Sequence, residues 1–185
     1  MRTFIAVDIN DRLKKNIFDV AQGFKKYCKG SYVKPDLYHI TLFFFGDIPE
    51  DKTIIIRNIL RGINYPLFSI KLTGVDCFFT NKKPRVCFVK GESPSLMELF
   101  TIIEKKLIEN NVLPDRKPLK IHSTFLRIKH IFDNEGIVKY IETINKNFSV
   151  VSFVVNELIL YNSKLSKNGP EYYKYFIKNL NEVDK

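Results

Sequence analysis

No stretch of this 185-residue chain approaches the roughly 20 consecutive apolar residues that a membrane-crossing helix requires. Its most apolar strands are interrupted by polar or charged residues, so no membrane association is expected. The N-terminus MRTFIAVDIN lacks a charged head followed by a long apolar core, and no signal peptide is expected either. Cysteine is scarce: Cys28, Cys77 and Cys87 are an odd number without CxxC spacing. That pattern argues against a disulfide framework or a zinc site and suits buried free thiols in a reducing cytoplasm. Cys77 and Cys87 have the spacing of opposite arms of a hairpin, so a bridge is compatible with the sequence but not required by it. No low-complexity segment and no linker divides the chain, which reads as one domain over residues 1–185.

What is abundant is positive charge. The formal net charge is +10, against 45% hydrophobic residues. The apolar content suffices for a sizeable core, and the charge favours salt-sensitive encounter with polyanions such as nucleic acid. The basic runs Lys14-Lys15, Lys25-Lys26, Lys82-Lys83-Pro84-Arg85 and Arg116-Lys117 are candidates to steer an RNA backbone, although each alone is an ordinary solvated face.

The hydrophobic pattern alternates between periods of two and of 3.6 residues. Arg2 to Ile9 reads as a strand. Asn10 caps a helix running to about Cys28, which Gly30 and Ser31 end. Val33 to Phe45 is extended, with a bend at Pro35-Asp36 and a turn at Gly46-Asp47. Pro49 opens a short second helix. Leu67 to Phe79 and Arg85 to Lys90 are strands joined by a turn over residues 81–84. Ser93 and Pro94 open a third helix to about Asn110. Lys120 to Ile128 is a strand, Asp133 to about Lys146 a helix, and Ser149 to Tyr161 one long strand. Residues 168–170 turn into a last strand, Tyr172 to Lys178. This order predicts an α+β fold with mainly antiparallel sheets, built from two related halves facing a cleft.

The chain has only three histidines, and two share a frame. YHITLFFFGD contains His39 and Thr41; IHSTFLRIK contains His122 and Thr124. On a strand, residues i and i+2 lie on one face, roughly 7 Å apart. Each histidine therefore shares a face with a threonine, while the largely apolar opposite face anchors the strand. If the halves are related by two-fold symmetry, two imidazoles and two hydroxyls converge. One neutral imidazole can take a proton, one imidazolium can give one, and the hydroxyls can hold phosphate oxygens, which suits a phosphodiester. A single such strand would be read as structural; two copies shift the balance toward function. The spacing is not that of a metal site and no carboxylate or cysteine shares the strand faces, so no metal or other cofactor is expected. His130 reads as solvated surface.

These strands carry a resemblance. VKPDLYHITLFFFGDI resembles the first signature of the RNA 2′,3′-cyclic phosphodiesterases, or 2′-5′ RNA ligases, of the two-histidine phosphoesterase superfamily. IHSTFLRIK resembles the second, including an arginine three residues after the threonine, here Arg127. RTFIAVDIN is similar to the family's first strand and RVCFVKGE to its middle strand, with an aromatic at Phe88. LYNSKLSKNGPEYY is similar to its C-terminal hairpin, with Tyr161, Ser163, Leu165, Gly169 and Tyr172 in order. The resemblance covers nearly the whole chain. It implies two pseudo-symmetric lobes of mainly antiparallel sheet, with outer helices, around a central cleft. It implies metal-free hydrolysis of a terminal RNA 2′,3′-cyclic phosphate to a 2′-phosphate. His39 would be the general acid and His122 the general base, although a near-symmetric site can run from either side. Thr41 and Thr124 would hold the phosphate, with Arg127 adding positive charge. Joining RNA ends through a 2′-5′ bond is the same chemistry with a 5′ hydroxyl in place of water.

Two departures from the family pattern stand out. Ser123 and Phe125 replace an aliphatic pair, with Ser123 expected to point away from the cleft. Phe43 stands where a lysine is common and, on a regular strand, would share the face of His39 and Thr41. Phe4 is a candidate stacking surface for a nucleobase, with a plain core phenylalanine as the alternative. The leading expectation is a monomeric cytoplasmic enzyme acting on RNA ends. The alternatives are a phosphodiesterase of a small cyclic nucleotide or 2′-5′ oligonucleotide, and a non-catalytic RNA-binding module.

Overall fold

The computed structural model describes residues 2–114, 118–166 and 169–181, without the side chains of Leu165 and Ser166. The basic pair Arg116-Lys117 lies outside the described residues. Nine strands and four α-helices follow one another among the described residues: β1 (Arg2–Asp8), α1 (Asp11–Gly23), β2 (Cys28–Tyr32), β3 (His39–Asp47), α2 (Glu50–Arg61), β4 (Phe68–Thr80), β5 (Lys83–Glu92), α3 (Pro94–Glu109), β6 (His122–Ile131), α4 (Asn134–Lys146), β7 (Val151–Val155), β8 (Glu157–Ser166) and β9 (Gly169–Asn179). The strands form two antiparallel sheets, in the orders β3-β1-β8-β9 and β2-β6-β5-β4-β7.

Local chemistry sets the helix starts as the sequence leads one to expect. Asn10 accepts from the Leu13 amide, Ser93 from Leu96 and Asp133 from Gly136, each satisfying one orphan donor of a first turn. The β4–β5 hairpin closes over Asn81 and Lys82, both at positive φ, the two-residue turn whose twist matches that of paired strands.

Three expectations need correction. Gly30 and Ser31 do not end an element; they lie in β2, an edge strand paired with β6. A Cβ on Gly30 would collide with the carbonyl of Arg127, so glycine is what lets the two backbones approach. The long strand expected over Ser149–Tyr161 is two strands in different sheets: β7 pairs with β4, β8 with β1 and β9, and the chain crosses between sheets at Asn156. Finally, Cys77 and Cys87 are not free thiols. They face each other across the hairpin, with Cα atoms 4.1 Å apart, and are bridged; Cys28 is free and buried.

The two halves are interlaced. The β4–β5 hairpin follows the His39 strand in the chain but joins the sheet of the His122 strand. The β8–β9 hairpin follows the His122 strand but joins the sheet of the His39 strand. One core of 39 buried residues runs through both sheets and the helices. On its side of the five-stranded sheet, α1 and α4 pack together, with the Tyr140 hydroxyl donating to the Val20 carbonyl. Beside the four-stranded sheet, Phe100 of α3 stacks on Phe43 of β3, centroids 4.3 Å apart and rings nearly parallel.

Candidate active site

His39, Thr41, His122, Thr124 and Arg127 line one cleft of about 1270 Å³, together with Phe4. The two histidine strands, the first of the four-stranded sheet and the second strand of the five-stranded one, come close together at its floor.

Each strand carries the same irregularity at the same place. In β3, Thr41 pairs with Ala6 and Phe43 with Ile5, leaving Leu42 as an extra residue. In β6, Thr124 pairs with Phe88 and Leu126 with Cys87, leaving Phe125 as the extra residue. A bulge shifts side-chain parity by one. After it, the third residue beyond the threonine faces the cleft, where a regular strand would present the second. Arg127 therefore reaches the cleft, as does its counterpart Phe44. Phe43 does not: it is buried in the core against Phe100, contrary to the regular-strand expectation. Ser123 is buried on the core side as expected, and its hydroxyl has no hydrogen-bond partner among the described residues.

The imidazoles are held alike. The Nδ1–H of His39 donates to the Leu37 carbonyl at 2.7 Å, and that of His122 to the Lys120 carbonyl at 2.6 Å. A carbonyl can only accept, so Nδ1 carries the proton in both rings. Nε2 is left as the atom that can take or give a proton. Each ring also rests on a phenylalanine from the neighbouring strand: Phe4 lies 5.1 Å from His39, and Phe88 lies 5.1 Å from His122. Phe4 is only 4% exposed, packed between His39, Tyr161 and Tyr172. It forms the floor under His39 more than an open stacking face. Phe78 completes the floor on the other side, edge-on to His122.

The electrostatics are less symmetric than the scaffold. Burial pushes the His39 imidazole below its ordinary value, and the positive charges of His122 and Arg127 push the same way. The Leu37 carbonyl and the Asp8 carboxylate oppose them. Asp8 is directly across from His39 in the β1–β3 register, and Lys14 pairs with it at 3.0 Å. Burial also lowers His122, but here Lys120 and Arg127 reinforce the shift and only the Lys120 carbonyl opposes it. The Lys120 ammonium is anchored over the rings of Phe78 and Phe88, at 4.6 and 5.0 Å. Phe88, Tyr161 and Tyr172 were legible only through the family resemblance. Asp8, Lys120, Phe44 and Phe78 carry no sequence signal of their own, because register and bulges place them.

Among the described residues no three His, Cys, Asp or Glu side chains are grouped to hold a metal ion, and no helix is long and apolar enough to cross a membrane.

Two interlaced lobes that present paired His-x-Thr strands to one cleft define a two-histidine phosphoesterase. The comparisons agree. Residues 7–88 match the family described as LigT like Phosphoesterase. The chain is 31% identical over 176 residues to the RNA 2′,3′-cyclic phosphodiesterase of Thermotoga maritima, covering 93% of this chain and 91% of that one. It is also 31% identical over 173 residues to the protein of the same name from Methanocaldococcus jannaschii, covering 93% and 96%. This chain belongs to the LigT-like phosphoesterases. Two crystal structures share its fold over essentially their whole length: TT0787 of Thermus thermophilus (TM-score 0.74, 22% identity, 100% of both chains) and E. coli LigT complexed with 3′-AMP (TM-score 0.73, 20% identity, 98% of both).

Proposed function

We propose that this protein hydrolyses a terminal 2′,3′-cyclic phosphate on RNA to a 2′-phosphate. The observation that carries the reading is the matched pair of imidazoles in one cleft, each with Nδ1 tied to a carbonyl two residues upstream and Nε2 left for proton transfer.

In this reading His122 is the general base. Its Nε2 takes a proton from a water molecule as the water oxygen attacks phosphorus. His39 is the general acid. Its Nε2–H gives a proton to the 3′ oxygen as the phosphorus–O3′ bond breaks, and the phosphate stays on O2′. Arg127 lowers both imidazoles, and the charges that differ support this assignment: the carboxylate of Asp8 favours a protonated His39, and Lys120 favours a neutral His122. Thr41 and Thr124 supply hydroxyl donors to the non-bridging oxygens, and Arg127 offsets charge that builds up on them. Phe4 keeps the His39 ring in place. Replacing the attacking water by the 5′ hydroxyl of a second RNA gives the same ring opening with a different nucleophile: the P–O3′ bond breaks and a 2′-5′ phosphodiester forms.

Both histidines come from one chain, so a monomer is complete. The interlaced hairpins leave neither lobe as a contiguous segment, and we read residues 1–185 as one bilobal domain acting in the cytoplasm. The test is incubation, with EDTA present, with a short RNA ending in a 2′,3′-cyclic phosphate. A 2′-phosphate product is expected. A 3′-phosphate would reverse the direction of ring opening, and an unchanged RNA would reject the activity.

A further inference from the structure

The cleft does not end at the histidines. β6 continues beyond Thr124 for about 23 Å, at roughly 3.3 Å per residue, to Ile131, and Phe132 follows it. A second bulge, at Lys129 opposite Lys29 and Gly30, changes parity again. Its consequence follows from the register. Cys28 pairs with Ile131 and is buried in the core. The next pair, Lys29 and His130, must then face the opposite way, to the side where Arg127 meets Ser31. Both are exposed. His130 is met edge-on by Phe132, whose ring is 59% exposed. Beside β6, the tip of the β4–β5 hairpin projects in the same direction, because Val86 pairs with Arg127 and the chain runs on through Arg85 to Lys83 and Lys82. Lys83 and Lys82 are exposed, and past the bulge at Arg85 the pair Thr80 and Lys83 shares the face of Val86, whereas Phe79 and Pro84 face the other way.

This end of the five-stranded sheet thus continues the cleft as a surface of cations and aromatic rings. Neither β2 nor β6 contains an acidic residue. The one carboxylate adjoining Phe132, that of Asp133, is turned to cap α4 through the Gly136 amide. A large exposed phenylalanine held against a histidine has no packing role to explain it. Alternating positive charge and stacking faces is what a single strand of nucleic acid requires: ammonium and guanidinium groups follow the phosphates, and rings receive bases irrespective of sequence.

We propose that this surface, from Arg127 out to Phe132 and the β4–β5 hairpin tip, binds the single-stranded RNA that leads into the cleft. The inference rests on the phosphodiesterase reading and deepens it. It makes the substrate a polymer whose cyclic-phosphate end is delivered along β6, and it separates this enzyme from one built for a mononucleotide.

The test compares two substrates, adenosine 2′,3′-cyclic phosphate and an eight-nucleotide RNA ending in the same group. The wild type is expected to favour the octamer in kcat/KM at low salt. In a Lys29→Ala/Lys83→Ala variant, the octamer advantage shrinks and its salt slope becomes shallower by about 1.4, at roughly 0.7 per lost phosphate contact. Phe132→Ala lowers the octamer value at least about fivefold through lost stacking with the salt slope unchanged. Neither variant alters turnover of the mononucleotide. Equal losses on both substrates, or an octamer indifferent to all three changes, would overturn the proposal. If the wild type turns over neither substrate, the catalytic reading is what has failed. The surface is then judged by fluorescence anisotropy with an octamer ending in a 3′-phosphate. Weaker binding by both variants supports the RNA track; unchanged binding overturns it and leaves the face to a protein partner.

Discussion

The His39 and His122 sides of the cleft share a frame and differ in what surrounds it. On each side a strand presents His-x-Thr, a bulge follows the threonine, a carbonyl two residues upstream fixes Nδ1, and a phenylalanine from the next strand supports the ring. The first side then adds Asp8, Phe44 and two tyrosines; the second adds Lys120, Arg127 and Phe78. Duplicated geometry places two proton carriers about one phosphate. Unequal charge tells them apart, which a directional reaction needs.

The largest effects should come from the shared part. His39→Ala and His122→Ala are each expected to lower kcat/KM by roughly 10² to 10⁴. The double variant should lose much less than the product of the two losses, since groups acting as a unit are not additive. Steady-state kinetics on the cyclic-phosphate RNA checks this, and a near-normal rate in either single variant would remove that residue from the chemistry.

Next come the positions that the bulges make equivalent. Arg127→Ala should cost about 10² in kcat/KM, as expected for loss of a charged donor to the transition state. Phe44→Ala should cost less than about tenfold, since it removes an apolar wall. Equal losses at the two positions would abolish the distinction drawn between them.

Smaller, but more diagnostic, are shifts in the pH profile. Both imidazoles are pushed below the ordinary value of about 6.5 in the free enzyme, so both limbs of the kcat/KM bell should lie on its acid side. A bound phosphate anion favours imidazolium, so the limbs of kcat should lie at higher pH. Asp8→Asn removes the carboxylate that raises His39, and the descending limb should move to lower pH. Lys120→Met removes a cation that lowers His122, and the ascending limb should move to higher pH. The same shifts on the other limb in each variant would exchange the two roles.

How much of this was legible in the sequence depended on range. The His-x-Thr strands and the helix caps at Asn10, Ser93 and Asp133 were readable because they depend on residues two to four apart. The edge strand β2 was missed because what makes Gly30 a strand residue is a carbonyl nearly 100 positions later, at Arg127. The sheet change at Asn156 was missed because the β-branched run gives no break there. The inward turn of Phe43 follows from a bulge, a property of pairing that alternation alone cannot reveal. The cystine was open in the hairpin spacing and decided only by the register that sets Cys77 opposite Cys87.

The smallest effect concerns Ser123, which occupies the place of Ile40 in the other strand. Its buried hydroxyl has no partner among the described residues, so Ser123→Ala should stabilise the fold by about 1 kcal/mol. That corresponds to a Tm rise of roughly 2–4 °C for a domain of this size, readable by thermal melting with activity unchanged. A lower Tm would show that the hydroxyl is satisfied.

The division of labour between the histidines is tested most directly by the pH dependence of kcat/KM in the two single-histidine variants, measured on residual activity. The account predicts that His39→Ala loses the descending limb and keeps the ascending one, and that His122→Ala does the reverse. Profiles that keep both limbs in both variants, or lose the opposite ones, would contradict it.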